Sequence, residues 1–249
     1  QAVIDRVSDL APDLIINAAA YTAVDGAETK PDVAVAVNAE GVGHLARAAD
    51  QVGARLQQVS TDFVFDGNAD APYHPRHEAR PLGVYGHSKL AGECRAREIL
   101  PHCLVVRTAW LYSCHGDNFV KTMLRLMAER DELRVVDDQI GAPTWGKGLA
   151  QTLWAFADRQ ELYGIYHWSD AGQCSWHEFA CAIQAEALDL GLLNREIKID
   201  AIPSSEYPTP AQRPAYSVLD CSSTEQHLNC TRSPWREQLR HMLEELKTL

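Results

Sequence analysis

No stretch of this 249-residue chain approaches the roughly 18–20 consecutive apolar residues that a membrane-spanning helix requires. No lysine or arginine block breaks its acidity either: 23 basic residues stand against 34 acidic ones, a formal net charge of −11. Such a surface repels phosphate backbones and anionic lipid, so neither nucleic acid nor membrane is an expected partner. Any anionic ligand must be held by a few local cations or by helix N-termini. The seven cysteines are odd in number and irregularly spaced, and no C-x-x-C occurs. Zinc ribbons and thioredoxin-type motifs therefore have no support, and scattered thiols suggest a reducing compartment, most simply the cytoplasm. His74-x-x-His77 comes nearest to a metal pattern, but it sits in a Pro-rich loop without a third ligand and reads as solvated histidine; no metal site is expected. With 15 Gly and 12 Pro a collagen-like fibre is excluded, and 46 % apolar residues exclude disorder. The chain opens on Gln1 with no charged-then-apolar leader, and reads as a piece of a longer product.

What is present is an alternation of short apolar runs with longer amphipathic segments. Helical spacing over residues 1–10 stops at Ala11-Pro12, and Asp13–Asn17 follows as a buried strand. A helix is expected over 32–51, ending at Gly53, then a strand over Arg55–Ser60. Residues 61–81 form a long loop with three prolines, a length that is usually functional inside a compact domain. Further helices are expected near 85–100, 118–130, 148–158, 175–190 and 235–246. Strands are expected at 103–108, 133–136, 165–168 and 197–201. Ser175 with Glu178 makes a capping box for the 175–190 helix. The pattern implies an α/β fold with a parallel sheet covered on both faces. Ligands in such folds lie beyond the carboxyl ends of the strands, so the residues after Asn17, Ser60 and Thr108 should carry the chemistry.

Ser60-Thr61-Asp62 ends one strand with three hydrogen-bonding side chains, a pattern that alone reads as a loop start or helix cap. Tyr85 and Lys89, four residues apart, project from one helix face. A phenol with a reference pKa near 10 is a poor acid at neutral pH. A fixed ammonium nearby favours the phenolate and is expected to lower that pKa, so that Tyr85 can exchange a proton with a carbonyl oxygen.

Y-x-x-x-K alone is weak, but with the hydroxyl cluster it resembles the extended, sugar-nucleotide-modifying branch of the short-chain dehydrogenase/reductase superfamily. Seven co-linear motifs narrow the resemblance to the dTDP-4-dehydrorhamnose reductases. They are Asn17–Asp25, Val59–Gly67, Val84–Glu93, Arg107–Trp110, Asp138–Thr144, Ser175–Phe179 and Tyr207–Pro214. That resemblance implies a Rossmann-type doubly wound sheet over 1–113 and 146–170, with a smaller substrate-binding α/β domain over 114–145 and 171–249. It implies NADPH or NADH as cofactor, a nucleotide-sugar substrate, a possible homodimer, and reduction of the substrate's C4 ketone. By the same resemblance Tyr85 donates the proton, Lys89 tunes it and holds ribose hydroxyls, and Thr61 bonds at the reacting oxygen. Ala18, Ala19, Ala20 and Thr22 would line the cofactor; Asp62, Phe63, Val64 and Trp110 would meet the sugar.

Arg213 could pair with the substrate diphosphate or be a surface arginine braced by prolines, and Lys121 and Asn118 read as solvated helix residues. Asn38 matches an asparagine that in the superfamily steadies the catalytic lysine through water. Trp168, Trp176 and Trp235 read as core or interface anchors rather than a stacking platform. Glu244 and Glu245 resemble a magnesium-linked dimer contact of some relatives, though a charged helix face explains them as well; Mg2+ remains a possible cofactor. Phe63 stands where relatives usually have Tyr, and the G-x-x-G-x-x-G turn that should open such a fold is absent, about one βαβ unit. The expectation is weak cofactor binding, low activity and an unpaired central strand edge in this chain. Two rival readings remain: another sugar-nucleotide 4-keto reductase of the branch, and a non-catalytic regulatory relative.

Overall fold

The computed structural model describes residues 1–249. Its frame is a four-stranded parallel sheet in the order β1 (Leu14–Asn17), β2 (Arg55–Thr61), β3 (Leu104–Thr108), β8 (Gly164–Trp168). Parallel neighbours need crossovers, and helices supply them: α4 (Val42–Val52) before β2, α5 (Val84–Ile99) before β3 and α7 (Gly146–Ala157) before β8. Alternation along β3 shows why both faces are dry. Val105 packs with Val42, Ala46, Leu56 and Ala96 under α4 and α5. Leu104 and Val106 pack on the other face with Leu149, Leu153 and Phe156 of α7.

The largest core lies elsewhere, among α6 (Phe119–Glu129), α8 (Trp176–Asp189) and α10 (Trp235–Thr248). These helices cover a small parallel pair, β5 (Glu132–Val136) and β10 (Lys198–Ile202). Two two-residue pairings complete the strands. β4 (Leu111–Tyr112) runs parallel to β7 (Thr144–Trp145), and β6 (Ile140–Gly141) antiparallel to β9 (Cys174–Ser175). The Ser175–Glu178 capping box forms as the sequence indicates. No helix is long and apolar enough to cross a membrane.

Three features depart from the sequence pattern. The helix expected over 32–51 is broken into α3 (Pro31–Val35), a π-helical turn (Ala36–Gly41) and α4, and α2 (Val24–Thr29) precedes it. The widened turn frees Asn38. Its Oδ1 accepts from the Tyr21 N–H at 2.8 Å, and its Nδ2 donates to Tyr21 O at 3.1 Å and to Ser88 Oγ at 3.0 Å. α9 (Ser222–Leu228) also forms unannounced and packs back on β8, its Thr224 hydroxyl donating to His167 O at 2.7 Å.

Candidate active site

The carboxyl tips of the sheet stand side by side, Thr61 of β2 in register with Thr108 of β3. Above them opens a cleft of about 590 Å3 whose wall includes Ala18, Ala20, Thr22, Thr61, Asp62, Phe63, Tyr85, Lys89, Trp110 and Arg213. Chain segments from β1, β2, α5, β4 and the 207–214 loop thus meet at one place. Two sequence-selected residues do not reach it. Val64 is fully buried, packed with Phe65, Tyr73, Ala109 and Leu219, so it supports the turn from below instead of facing a ligand. Ala19 is not on the wall; its N–H closes a turn onto Asn17 Oδ1 at 3.2 Å.

α5 lies close against the turn after β2 and against the π-helical turn because of two glycines. A Cβ on Gly86 would meet Phe63 O at 2.2 Å, and one on Gly92 would meet Asn38 O at 2.1 Å. With α5 so seated, Lys89 is buried and its ammonium donates to Val59 O at 2.8 Å, leaving two N–H groups without a protein acceptor. Burial lowers its pKa to about 8, against an opposing pull from Glu93. Asn38, expected to act on this lysine through water, spends its amide on Tyr21 and Ser88 and holds the helix one residue away.

Tyr85 overturns the expectation of an acidified phenol. Burial pushes its pKa up to about 12; the Thr61 hydroxyl pulls it down, and the Asp62 carboxyl adds to the rise. Phe63 meets the phenol ring edge-on at 5.6 Å. Thr61 Oγ1 donates to Asp62 Oδ1 at 3.1 Å and accepts from the Phe63 N–H at 3.2 Å, capping the short 3-10 turn Asp62–Val64. Asp62 itself is buried, and desolvation raises its pKa to about 6 against the opposing pull of the nearby Ser217 and Thr61 hydroxyls.

The same strand tips are braced from beneath. The Arg107 guanidinium grips Glu93 through Nε at 3.0 Å and Nη2 at 2.7 Å, and Ser60 Oγ donates to Glu93 Oε1 at 2.5 Å. Both charged side chains are nearly inaccessible, so each depends on the other.

The far wall is aromatic. Trp110 adopts a left-handed φ of 44°, uncommon for a residue with a side chain, and stacks on Trp176 with centroids 3.5 Å apart. Gly141 makes room: a Cβ there would lie 2.4 Å from the Trp110 ring. Trp176, read from the sequence as an anchor, is therefore also cleft wall, joined by Ser113, His115 and Asp117. Sequence spacing held no signal for these four. Arg213 sits on the wall but donates to both Asp25 oxygens, at 3.1 and 2.7 Å. Asn118 caps α6 from the cleft rim, and the Lys121 ammonium is engaged by Gly116 O at 2.8 Å.

His77 Nδ1 accepts from the His74 N–H at 2.7 Å, and His74 Nδ1 from the Arg76 N–H at 3.1 Å. The one His/Cys/carboxylate group close enough for a metal is Cys114, His115 and Glu245, with Lys147 3.6 Å from Glu245. A thiol and an imidazole are poor magnesium donors, so this set does not fit that ion.

A parallel α/β sheet with Thr, Tyr and Lys converging beyond its strand tips defines an oxidoreductase of the short-chain dehydrogenase/reductase type. The family described as RmlD substrate binding domain matches residues 1–248. A dTDP-4-dehydrorhamnose reductase of Shigella flexneri is 41 % identical over 252 residues, covering 100 % of this chain and 84 % of its own length. The crystal structure of a dTDP-4-dehydrorhamnose reductase from Clostridium acetobutylicum superposes with a TM-score of 0.92 at 39 % identity, covering 99 % of this chain and 85 % of that one. One from Bacillus anthracis in complex with NADP gives 0.91 at 39 % identity, covering 98 % and 84 %. The chain belongs to the dTDP-4-dehydrorhamnose reductase family.

Proposed function

We propose that this chain reduces the C4 ketone of dTDP-4-dehydro-L-rhamnose to dTDP-L-rhamnose, with NAD(P)H as reductant. The observation that carries the reading is the convergence of Thr61, Tyr85 and Lys89 on one cleft. The cofactor fits the donor set: a buried ammonium with two unused N–H groups lies beside Ala18, Ala20 and Thr22 at the tip of β1. When bound, the nicotinamide supplies hydride to the carbonyl carbon. The protein supplies a proton and a position. Tyr85 donates from its hydroxyl to the carbonyl oxygen, which becomes an alkoxide more basic than a phenolate. A phenol held near pKa 12 therefore still transfers its proton downhill, and it enters each turnover protonated. Thr61 orients the oxygen once its hydroxyl turns from Asp62, and Lys89 holds ribose hydroxyls with its free N–H groups.

Asp62, Phe63, Trp110 and Arg213 are assigned to the sugar-nucleotide side of the cleft. The division into a cofactor lobe (1–113, 146–170) and a substrate lobe (114–145, 171–249) belongs to the same reading, with α9 returning to the sheet of the first. The seven free cysteines support a reducing, cytoplasmic setting. The net charge of −11 supports a nucleotide sugar over nucleic acid as partner, and a second copy of the chain is its protein partner in this reading. The test is NADPH oxidation in the presence of dTDP-4-dehydro-L-rhamnose, with the product's C4 configuration read by proton NMR. Oxidation giving the L-rhamno product supports the reading; the C4 epimer, or no oxidation by a protein that binds both ligands, overturns it.

A further inference from the structure

Two helical turns along α5 from Tyr85, roughly 12 Å away, the sheet-covering helix leaves a second cavity. It measures about 750 Å3 and shares no lining residue with the catalytic cleft. The C-terminal half of α5, the 74–79 loop, β8 and α9 enclose it. Its chemistry runs against the acidity of the molecule. Arg76, Arg97 and Arg107 line it, with His74, His77 and His227, and the one carboxylate on its wall is Glu93. That carboxylate is already consumed by Arg107 and Ser60. Neither Arg76 nor Arg97 has an acidic partner within 4 Å. Behind the wall, Asp220 lies near His74 and His167.

Two wall residues also carry unmet hydrogen-bonding capacity. Arg107, its side chain 3 % exposed, leaves Nη1 without a partner, and Ser223 leaves its hydroxyl so. His227 uses Nδ1 on Ser223 O at 2.6 Å, which leaves Nε2 for a ligand. Buried donors without acceptors are costly, and an oxyanion satisfies several at once.

We propose that this cavity binds the phosphate group of a small phosphate ester, with Arg97 supplying charge and Arg107 Nη1, His74, His227 and Ser223 supplying hydrogen bonds. A free phosphate ion occupies only a small part of the space, and Tyr163 and Ile165 offer the remainder an apolar wall. The organic part of the ester rests there. The site is independent of the catalytic reading.

Proton NMR of the His74 and His227 rings, titrated with inorganic phosphate and separately with adenosine 5′-monophosphate, tests it. Saturable shifts are expected with both probes at millimolar concentrations, tighter for the monophosphate ester. Arg97→Gln, an exposed and foldable change, is expected to weaken both by about 10-fold or more while leaving dTDP binding in the cleft unchanged. Arg213→Gln is expected to do the reverse. Absence of saturable shifts, equal affinity in Arg97→Gln, or no gain from the ester over the free ion overturns the proposal.

Discussion

Tyr85 and Lys89 are displaced in opposite directions by one cause, loss of water around a charged form. The phenol is held neutral and the ammonium is made easier to discharge. Lys89 keeps its charge below about pH 8 and loses it above. Turnover is therefore expected to fall as pH rises through about 8, while Tyr85 remains protonated throughout; a pH profile of kcat/KM with NADPH shows this limb. Asp62 gives a second pH dependence. Its folded pKa of about 6 lies above the ordinary 3.8, so the folded state binds the extra proton between them. That contribution is complete below 3.8 and is lost as pH rises through 6. Asp62→Asn is thus expected to gain stability over the parent between pH 4 and 7, on the order of 2–3 kcal/mol, in chemical denaturation. His167, pushed down to about 3, acts oppositely in the same window but is common to both proteins.

At the scale of elements, α5 is the piece that sets the site, and its seating depends on absent side chains. Gly92→Ala drives a methyl into Asn38 O and is expected to cost about 1–3 kcal/mol in thermal or denaturant unfolding, with reduced turnover as Lys89 shifts. The course of α5 was legible because Tyr85 and Lys89 stand one helical turn apart. The π turn at 36–41 was not, because its cause is Asn38 meeting Tyr21 and Ser88, partners 17 and 50 residues away. The direction of the Tyr85 shift was equally hidden: spacing shows that Lys89 is one turn off, not that its ammonium turns to Val59 O. Val64 went astray for a related reason. A three-residue 3-10 turn aims successive side chains apart, so Phe63 meets Tyr85 while Val64 enters the core. The Ser175 box, a local motif, formed as written.

Across the whole molecule, the cleft lies between a sheet packed by α4, α5 and α7 and a separate core of α6, α8 and α10. Trp110 and Trp176 join the two, and that contact was invisible in sequence because its partners lie 66 positions apart on different elements. Trp176→Ala is expected to raise KM for the nucleotide sugar by about 10-fold while leaving NADPH affinity within a few-fold, since only the far wall is lost. Steady-state kinetics and cofactor titration separate the two effects. The alternation of strands and helices, by contrast, placed the sheet and the site beyond its carboxyl ends, since burial on two faces leaves a direct mark on composition.

The account rests on Tyr85 as the group that protonates the carbonyl oxygen. Its most direct test is single-turnover reduction of the keto-sugar nucleotide by the full-length protein and its Tyr85→Phe form, with NADPH binding measured on both. A loss of about 100-fold or more in the chemical step, with cofactor affinity retained, is the predicted result. Parent-like turnover by the phenylalanine variant would contradict it.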